Sequence, residues 1–181
     1  MELKINRGIL LAVLECRAVR DIRYSLCGIC FLPDGKIAAT DGSMLAYGKH
    51  ENEIDHEVIL SVGKFPTKNF EYAIFDTEQG IVSLFDKQNT PIGITLCSVI
   101  DGQFPNIESV ISEAELAINH GITEIAFSLG LLARLEKMAK YLNPKHQFIK
   151  IKTTSATGAA LCNIYHPMHG AVKVLIMPAR I

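Results

Sequence analysis

The feature of this sequence that most constrains its fold is a repeated order of predicted elements. Three stretches each predict one strand, one helix and then three strands, from Glu2 to Lys49, from Glu57 to Val99 and from Ile122 to Met177. We name these stretches unit 1, unit 2 and unit 3. The repeated βαβββ order predicts an α+β fold built from three similar units.

The predicted helices of the three units are Gly8–Val19, Gly63–Phe70 and Ser128–Leu142. The third has the clearest pattern, because Leu131, Leu135 and Met138 recur on one face at helical spacing. Asn143 and Pro144 follow it, and a proline soon after a helix is a typical stop signal. The predicted strands are Glu2–Asn6, Arg23–Phe31, Lys36–Thr40, Met44–Lys49, Glu57–Ser61, Glu71–Asp76, Ile81–Phe85, Pro91–Val99, Ile122–Phe127, Phe148–Thr153, Ala159–Tyr165 and Ala171–Met177.

Residues 100–121 separate unit 2 from unit 3. They contain Gly102, Pro105 and Asn106 together with several acidic residues, which is typical of a connecting segment. We interpret this stretch as a linker. The predicted organisation is therefore a first domain at residues 1–112, which holds units 1 and 2, and a half domain at residues 122–181, which holds unit 3.

Positive charge is concentrated in three helical windows, residues 7–23, 63–70 and 128–146. These windows hold ten basic and three acidic residues, whereas the rest of the chain carries a net charge of −8. The whole chain has a net charge of −1, so its overall field does not favour nucleic acid. Any affinity for DNA must therefore come from basic helices that face the phosphates.

Composition excludes two classes of protein. Hydrophobic residues make up 49% of the chain and charged residues 20%, which is enough to bury a core and excludes intrinsic disorder. The longest stretch without Asp, Glu, Lys or Arg, residues 153–172, contains His166 and Pro167, so it does not have the character of a membrane span. No secretory leader is evident, and the five cysteines lack the spacing of a disulfide framework. We therefore expect a cytoplasmic protein with reduced thiols.

Two cysteine patterns suggest other chemistry. Cys27 and Cys30 have the C-x-x-C spacing of a redox pair or half a zinc site, but they lie in an apolar stretch where residues three apart point to opposite faces of a strand. Cys162, His166 and His169 form a C-x3-H-x2-H cluster without a convincing second pair. A small thiol or metal enzyme is therefore the weakest hypothesis.

No arrangement typical of catalysis is present in the sequence. It contains no glycine-rich phosphate loop, no G-x-S-x-G elbow and no H-E-x-x-H helix. Asp41 and Asp101 each precede a glycine, which is an ordinary turn dipeptide. We therefore expect a protein that is not an enzyme and that requires no metal or cofactor.

Three short segments, taken in their order, resemble the bacterial DNA sliding clamp, the ring-shaped processivity subunit of the replicative DNA polymerase. The segments are Arg23–Gly28 (RYSLCG) followed by ATDG at 39–42, Ile100–Pro105 (IDGQFP) and Met177–Ile181 (MPARI). Their joint order makes the match fairly specific. The chain departs from the family at Ser43, Met44 and Ala179, where clamps usually have His, Arg and Met.

The resemblance implies a shortened clamp, with sheets on the outside of a ring and basic helices that line it. Residues 1–112 resemble the middle domain of the clamp and residues 122–181 the second half of its final domain. The family's ring contains twelve such units, so three units per chain imply a homotetramer, with a dimer as the alternative. The DNA-facing residues would be Arg7, Arg17, Arg20, Lys64, Lys68, Arg134, Lys137 and Lys140.

The resemblance also implies partners and a binding site for them. Clamps encircle duplex DNA without sequence specificity and receive a short apolar peptide of DNA polymerase and other clients in a groove between the middle and final domains. The corresponding pocket residues are Arg23, Leu26, Thr40, Gly42, Leu45, Pro105, Val110, Leu175, Met177, Pro178 and Arg180. The implied function is processive DNA replication, with no membrane partner, and the need for a clamp loader is left open.

A second hypothesis assigns the chain to a different class. It is a clamp-like interaction module that forms no ring and acts as a decoy, binding clamp partners or a host clamp. Size in solution separates the two hypotheses, because only the first requires several chains.

Overall fold

The computed structural model describes residues 1–66, 69–116 and 125–179. The strands in this part of the chain are β1 (Glu2–Asn6), β2 (Ile29–Phe31), β3 (Lys36–Thr40), β4 (Met44–Lys49), β5 (Val58–Val62), β6 (Tyr72–Asp76), β7 (Ile81–Phe85), β8 (Pro91–Val99), β9 (Ile149–Lys152), β10 (Ala160–His166) and β11 (Gly170–Ile176). The helices are α1 (Arg7–Leu14), α2 (Glu108–Leu116) and α3 (Leu129–Leu142), with a short 3-10 helix at Tyr24–Cys27.

These strands form one sheet in the order β1-β6-β7-β8-β5-β2-β3-β4-β11-β10-β9, and neighbouring strands are antiparallel. Units 1 and 2 exchange their first strands. β1 of unit 1 pairs with β6 of unit 2, and β5 of unit 2 pairs with β2 of unit 1. Such a reciprocal exchange relates the two units by an approximate two-fold axis and joins them through backbone hydrogen bonds.

Unit 3 joins unit 1 through a contact that we call the β4–β11 junction. β4 and β11 are the last strands of their units, and they pair from Lys173 opposite Tyr47 to Ile176 opposite Met44. Because this pairing is antiparallel, it also relates the two units by an approximate two-fold rotation. The sheet is therefore continuous from unit 2 through unit 1 to unit 3.

The sheet is covered on both faces at the junction. On one face, Ala46 and Val174 belong to a large apolar core with residues of α1 and α3. The packing of α1 on β4 is close, since a Cβ atom on Gly48 would lie 2.6 Å from Cγ2 of Ile9. On the opposite face, Leu45, Tyr47 and Leu175 form a second core with Ile107 and Ile111 of the segment around α2. The sequence alternation of β4 predicts these two faces.

One predicted helix is wrong in the described residues. Residues 63–66 and 69–70 form no helix, and residues 67–68 lie outside the described part of the chain. Pro66 interrupts the segment, and Asn69 has a φ of 76°, which a right-handed helix does not allow. A window of eight residues is also too short to form a helix without tertiary packing on one face.

Three other segments differ from the predictions. α1 ends at Leu14 rather than Val19, because Ala18 N–H donates to the carbonyl of Leu26 and the chain has turned by then. The predicted strand Arg23–Phe31 is a 3-10 helix followed by β2. The predicted linker contains α2, whose apolar residues cover the sheet.

The predicted first strand of unit 3, Ile122–Phe127, lies partly outside the described residues. Residues 125–127 are not in a strand, and residues 122–124 lie outside the described part of the chain. The other predicted strands are confirmed to within one or two residues. In the described ranges, no helix combines the length and the apolar character that crossing a membrane requires.

Candidate functional site

Arg134 fastens α3 to unit 1. Its Nε donates to the carbonyl of Glu15 at 2.9 Å, and its Nη1 lies 2.7 Å from Oδ2 of Asp41. Carbonyls at the end of a helix have no partner within the helix, and α1 ends at Leu14, so the guanidinium supplies a donor that the helix itself lacks. Arg134 therefore serves an internal contact, and its position towards DNA stays a prediction.

Asp41 holds the turn between β3 and β4. Its Oδ1 accepts the backbone N–H groups of Ser43 and Met44, each at 2.9 Å, and Gly42 has a φ of 87°. Burial alone would raise the pKa of Asp41, but the two backbone donors and Arg134 outweigh burial and lower that pKa below its ordinary value. Asp41 is therefore a charged structural residue in an Asp-Gly turn.

Lys137 and Lys140 are the exposed basic residues of α3. Their side chains are 55% and 52% exposed, and their Nζ atoms lie 2.7 Å from Oε1 of Glu15 and 2.6 Å from Oε1 of Glu136. Ion pairs between exposed side chains contribute at most about 1 kcal/mol. A phosphate can therefore replace Glu136, which is 61% exposed, at little cost in free energy, whereas Glu15 is only 18% exposed.

Lys140 also lines a cleft of about 580 Å³ between the end of α3 and unit 2. Arg7, the first residue of α1, and Lys87, from the turn between β7 and β8, line the same cleft. Glu71 and Asp86 contribute negative charge to the wall. Lys87 lies outside the three helical windows in which basic residues are concentrated, so the charge pattern of the sequence did not indicate it.

Arg17, Arg20 and Lys64, which were also predicted to face DNA, lie outside helices. Arg17 donates from Nη1 to the carbonyl of Val62 at 2.9 Å, which joins the loop after α1 to β5. Arg20 and Lys64 are exposed, and Lys68 lies outside the described residues. In the described part of the chain, the predicted DNA-facing residues that lie in helices are therefore those of α3 and Arg7, the first residue of α1.

The predicted peptide-pocket residues separate into a buried and an exposed set. Leu26, Leu45 and Leu175 are at most 7% exposed and belong to the interior, as does Thr40, whose hydroxyl donates to the carbonyl of Met44 at 2.7 Å. These side chains support the pocket but do not offer open contact surface.

The exposed set meets around the β3–β4 turn, and we call this region the junction groove (Arg23, Gly42, Ser43, Met177 and Pro178). Met177 N–H donates to the carbonyl of Ser43 at 3.2 Å, and Met177 is 41% exposed. A Cβ atom on Gly42 would lie 3.5 Å from Nη2 of Arg23. Thus unit 1 and the segment after β11 both contribute to the groove.

The remaining pocket residues occupy other positions. Pro105 and Val110 are exposed on the segment that carries α2, and Arg180 lies outside the described residues. Arg23 is oriented by Asp21, whose carboxylate lies 2.8 Å from Nη2. Hydrogen bonds from Arg23 lower the pKa of Asp21 to about 2, so both charges are present at neutral pH.

The cysteine patterns do not form reactive sites in the described residues. Burial raises the pKa of the Cys30 and Cys162 thiols to about 12, which opposes thiolate formation. Nδ1 of His166 accepts the backbone N–H groups of Met168 and His169, so it is occupied in the β10–β11 turn. No group of three or more His, Cys, Asp or Glu residues in this part of the chain is placed to hold a metal ion.

The whole described architecture matches bacterial DNA sliding clamps, so the fold is that of a sliding clamp. The DNA polymerase sliding clamp from Bacillus subtilis matches with a TM-score of 0.60 and 16% identity over 100% of this chain and 64% of its own. The DnaN sliding clamp from Pseudomonas aeruginosa bound to griselimycin matches with a TM-score of 0.60 and 16% identity, over 100% and 66%. The DNA polymerase III beta subunit from Thermotoga maritima matches with a TM-score of 0.58 and 15% identity, over 100% and 66%.

The match is one of structure rather than of sequence. No protein-family model and no curated protein matches the chain. The chain spans about two thirds of the length of the clamps that it resembles. The fold expected from the three short motifs is confirmed.

Proposed function

We propose that this chain is the subunit of a ring that encircles duplex DNA and tethers a DNA polymerase to it. The observation that carries the proposal is the sheet that runs without interruption through three units, with helices α1 and α3 packed on one face. Joined to further copies, such a sheet forms a wall, and its helical face lines the inside. The protein would act without a catalytic group, as two domains: residues 1–112 and a half domain at 122–181.

The charges on the helical face suit contacts that do not depend on sequence. Lys137 and Lys140 are half-exposed cations, and the present partner of Lys140, Glu136, is an exposed carboxylate. Attraction to phosphate depends on charge and salt rather than on the base sequence. A ring held in this way can move along the duplex, and its closed topology, not its affinity, keeps it on the DNA.

The test uses a linear duplex with biotin at both ends, which a preformed ring can thread without a loader. The protein is added either before or after streptavidin blocks the ends, and the DNA is then washed in 0.5 M salt. Retention is expected only when the protein is added first, because ordinary phosphate contacts are lost at this salt concentration. Equal retention, or equal loss, in both orders of addition would contradict encirclement.

The junction groove is proposed as the site that receives the client peptide. Met177 supplies an exposed apolar side chain, and Arg23 lies at its rim. Met177→Ala is expected to weaken binding of an apolar client peptide from the cognate polymerase by about 1–3 kcal/mol, as for an anchor contact. Met168→Ala, in the exposed β10–β11 turn, is the matched control. Unchanged binding to Met177→Ala, measured by calorimetry, would place the client surface elsewhere.

The second candidate function is a clamp-like module that forms no ring. It is favoured by the edge of β8 at residues 91–94, which pairs with no strand of the described residues. A module of this kind would present β8 to a different clamp or clamp partner. The native mass of the purified protein separates the candidates, because the module alone is monomeric.

A further inference from the structure

β8, the last strand of unit 2, has one open edge. Residues 91–96 pair with β7 on one side. On the other side β5 pairs with residues 97–99, and the segment after β5 extends this contact, since Gly63 N–H donates to the carbonyl of Leu96 at 2.9 Å and the hydroxyl of Thr95 donates to the carbonyl of Lys64 at 3.2 Å. The second edge of residues 91–94 pairs with no strand of the described residues. Ile92, Ile94 and Leu96, on one face of this strand, are 45%, 72% and 68% exposed. Unpaired apolar edges are unusual in stable monomers because they attract other strands.

The β4–β11 junction shows what covers such an edge elsewhere in the molecule. There the last strand of one unit pairs antiparallel with the last strand of another over four residue positions. Leu45, Tyr47 and Leu175 are at most 7% exposed there, because the pairing covers the strand edges and the segment of α2 covers their face. The last strands of units 1 and 3 are occupied by each other. The last strand of unit 2 therefore has its like partner only in a second copy of the chain.

Symmetry selects how the second copy is oriented. Within the chain, each contact between units is a two-fold one, first through the exchange of β1 and β5 and then through the β4–β11 junction. Neighbouring units thus alternate in direction. Three is an odd number, so the two end units, unit 3 and unit 2, point the same way. A head-to-tail contact would set two units of equal direction side by side, whereas a two-fold contact continues the alternation.

We propose that β8 pairs antiparallel with β8 of a second copy across a two-fold axis. Pairing of residues 92–94 centred on Gly93 sets Ile92 beside Ile94 of the partner subunit and covers one side of each. A Cβ atom on Gly93 would contact only Leu84 of its own chain, at 3.8 Å, and the register of β7 on β8 shifts next to this position, between Leu84 and Phe85. This inference rests on the proposed ring and specifies one of its interfaces.

The same symmetry assigns the opposite end of the chain. β9 lies at the end of the sheet, and its outer edge pairs with no strand in the described ranges. In units 1 and 2 the corresponding strands, β2 and β6, are covered by the first strand of the sister unit. A second two-fold contact at β9 would complete a tetramer with two different symmetric interfaces, in which no contact is head-to-tail.

The test is a pair of opposite charges at Ile94. Ile94→Glu and Ile94→Lys each place like charges close together across a two-fold axis, so each variant alone is expected to show half the native mass of the unmodified protein. An equimolar mixture places opposite charges diagonally across the two-fold axis and is expected to restore the full mass. Met168→Glu, which adds charge to an 83% exposed turn residue, is the control and is expected to keep the full mass.

Two results would overturn the inference. Full mass for both single variants would show that β8 is not an interface. Dissociation that the mixture does not reverse would show that β8 meets a different surface, because in a head-to-tail contact the facing strand carries neither substitution. Thermal unfolding of each variant confirms that it is folded. The mass of the unmodified protein tests the ring itself, so failure of the β8 contact and failure of the proposed function are distinguishable.

Discussion

The strands β4 and β8 end two similar units and differ in what covers them. Met44 and Leu45 of β4 are at most 7% exposed, whereas Ile94 and Leu96 of β8 are about 70% exposed. β4 has β11 at its edge and the segment of α2 above its outer face. β8 has no such cover from the described part of its own chain. An apolar last strand therefore indicates that an edge will be paired, but not that the partner belongs to the same chain.

The largest expected effect on the free energy of unfolding comes from replacing a leucine by alanine at the covered β4–β11 junction, compared with the same change on β8. Leu175→Ala empties part of the core under α2, where Leu175 is 3% exposed, and is expected to lower the free energy of unfolding by about 3 kcal/mol. Leu96→Ala removes the same atoms from a side chain that is 68% exposed, and a loss below about 1 kcal/mol is expected in dissociated protein. Urea unfolding, at a protein concentration low enough to keep the chains dissociated, measures both losses in free energy. Equal losses would show that the two edges do not differ in burial.

A smaller effect is expected at the ion pair that supports the covered strand. Asp41→Asn removes the charge that Arg134 contacts at 2.7 Å and is expected to cost about 1–2 kcal/mol at pH 7. Because the pKa of Asp41 is lowered in the folded protein, the stabilisation is present above its unfolded value, about 3.9, and is lost as pH falls through the folded value.

The pH dependence of unfolding checks this assignment. The difference between Asp41→Asn and the unmodified protein is expected to shrink as pH falls below about 4. Asp86→Asn is the matched control, since Asp86 also accepts backbone N–H groups in a turn, those of Gln88 and Thr90. A difference for Asp41→Asn that is constant with pH would mean that its charge is not what stabilises the junction.

The smallest effect on stability is expected at the exposed lysines of α3. Replacing Lys137 and Lys140 together by Gln should change the free energy of unfolding by less than about 0.5 kcal/mol. It should also reduce the slope of log affinity against log salt by about 1–2, if each lysine contacts one phosphate. Fluorescence anisotropy with a duplex measures this slope, and Lys150→Gln on β9 is the control. An unchanged slope would remove α3 from the DNA-facing surface.

The sequence predicts elements well where the pattern is local and repeated. The helical spacing in α3 follows from one buried face, and the apolar strand β4 is buried on both faces, so both elements are confirmed. The predicted helix at 63–70 fails because a short amphipathic window contains Pro66 and needs tertiary support. α2 was missed because turn residues precede it and its apolar face becomes evident only when the sheet lies beneath it.

The candidate site is less predictable than the fold. The resemblance placed Arg134 on the DNA-facing surface, but its partners, the carbonyl of Glu15 and Asp41, are brought near it only by the tertiary fold. The basic residue Lys87 lies in a turn and joins Arg7 and Lys140 only across the cleft. Long-range contacts of this kind leave no local spacing in the sequence.

The native mass of the unmodified protein tests the central claim most directly. A ring of twelve units requires four chains, so native mass spectrometry at micromolar concentration is expected to show a species of four times 19.9 kDa, with a dimer as its dissociation product. A stable monomer at that concentration would contradict both the ring and the two-fold contact at β8.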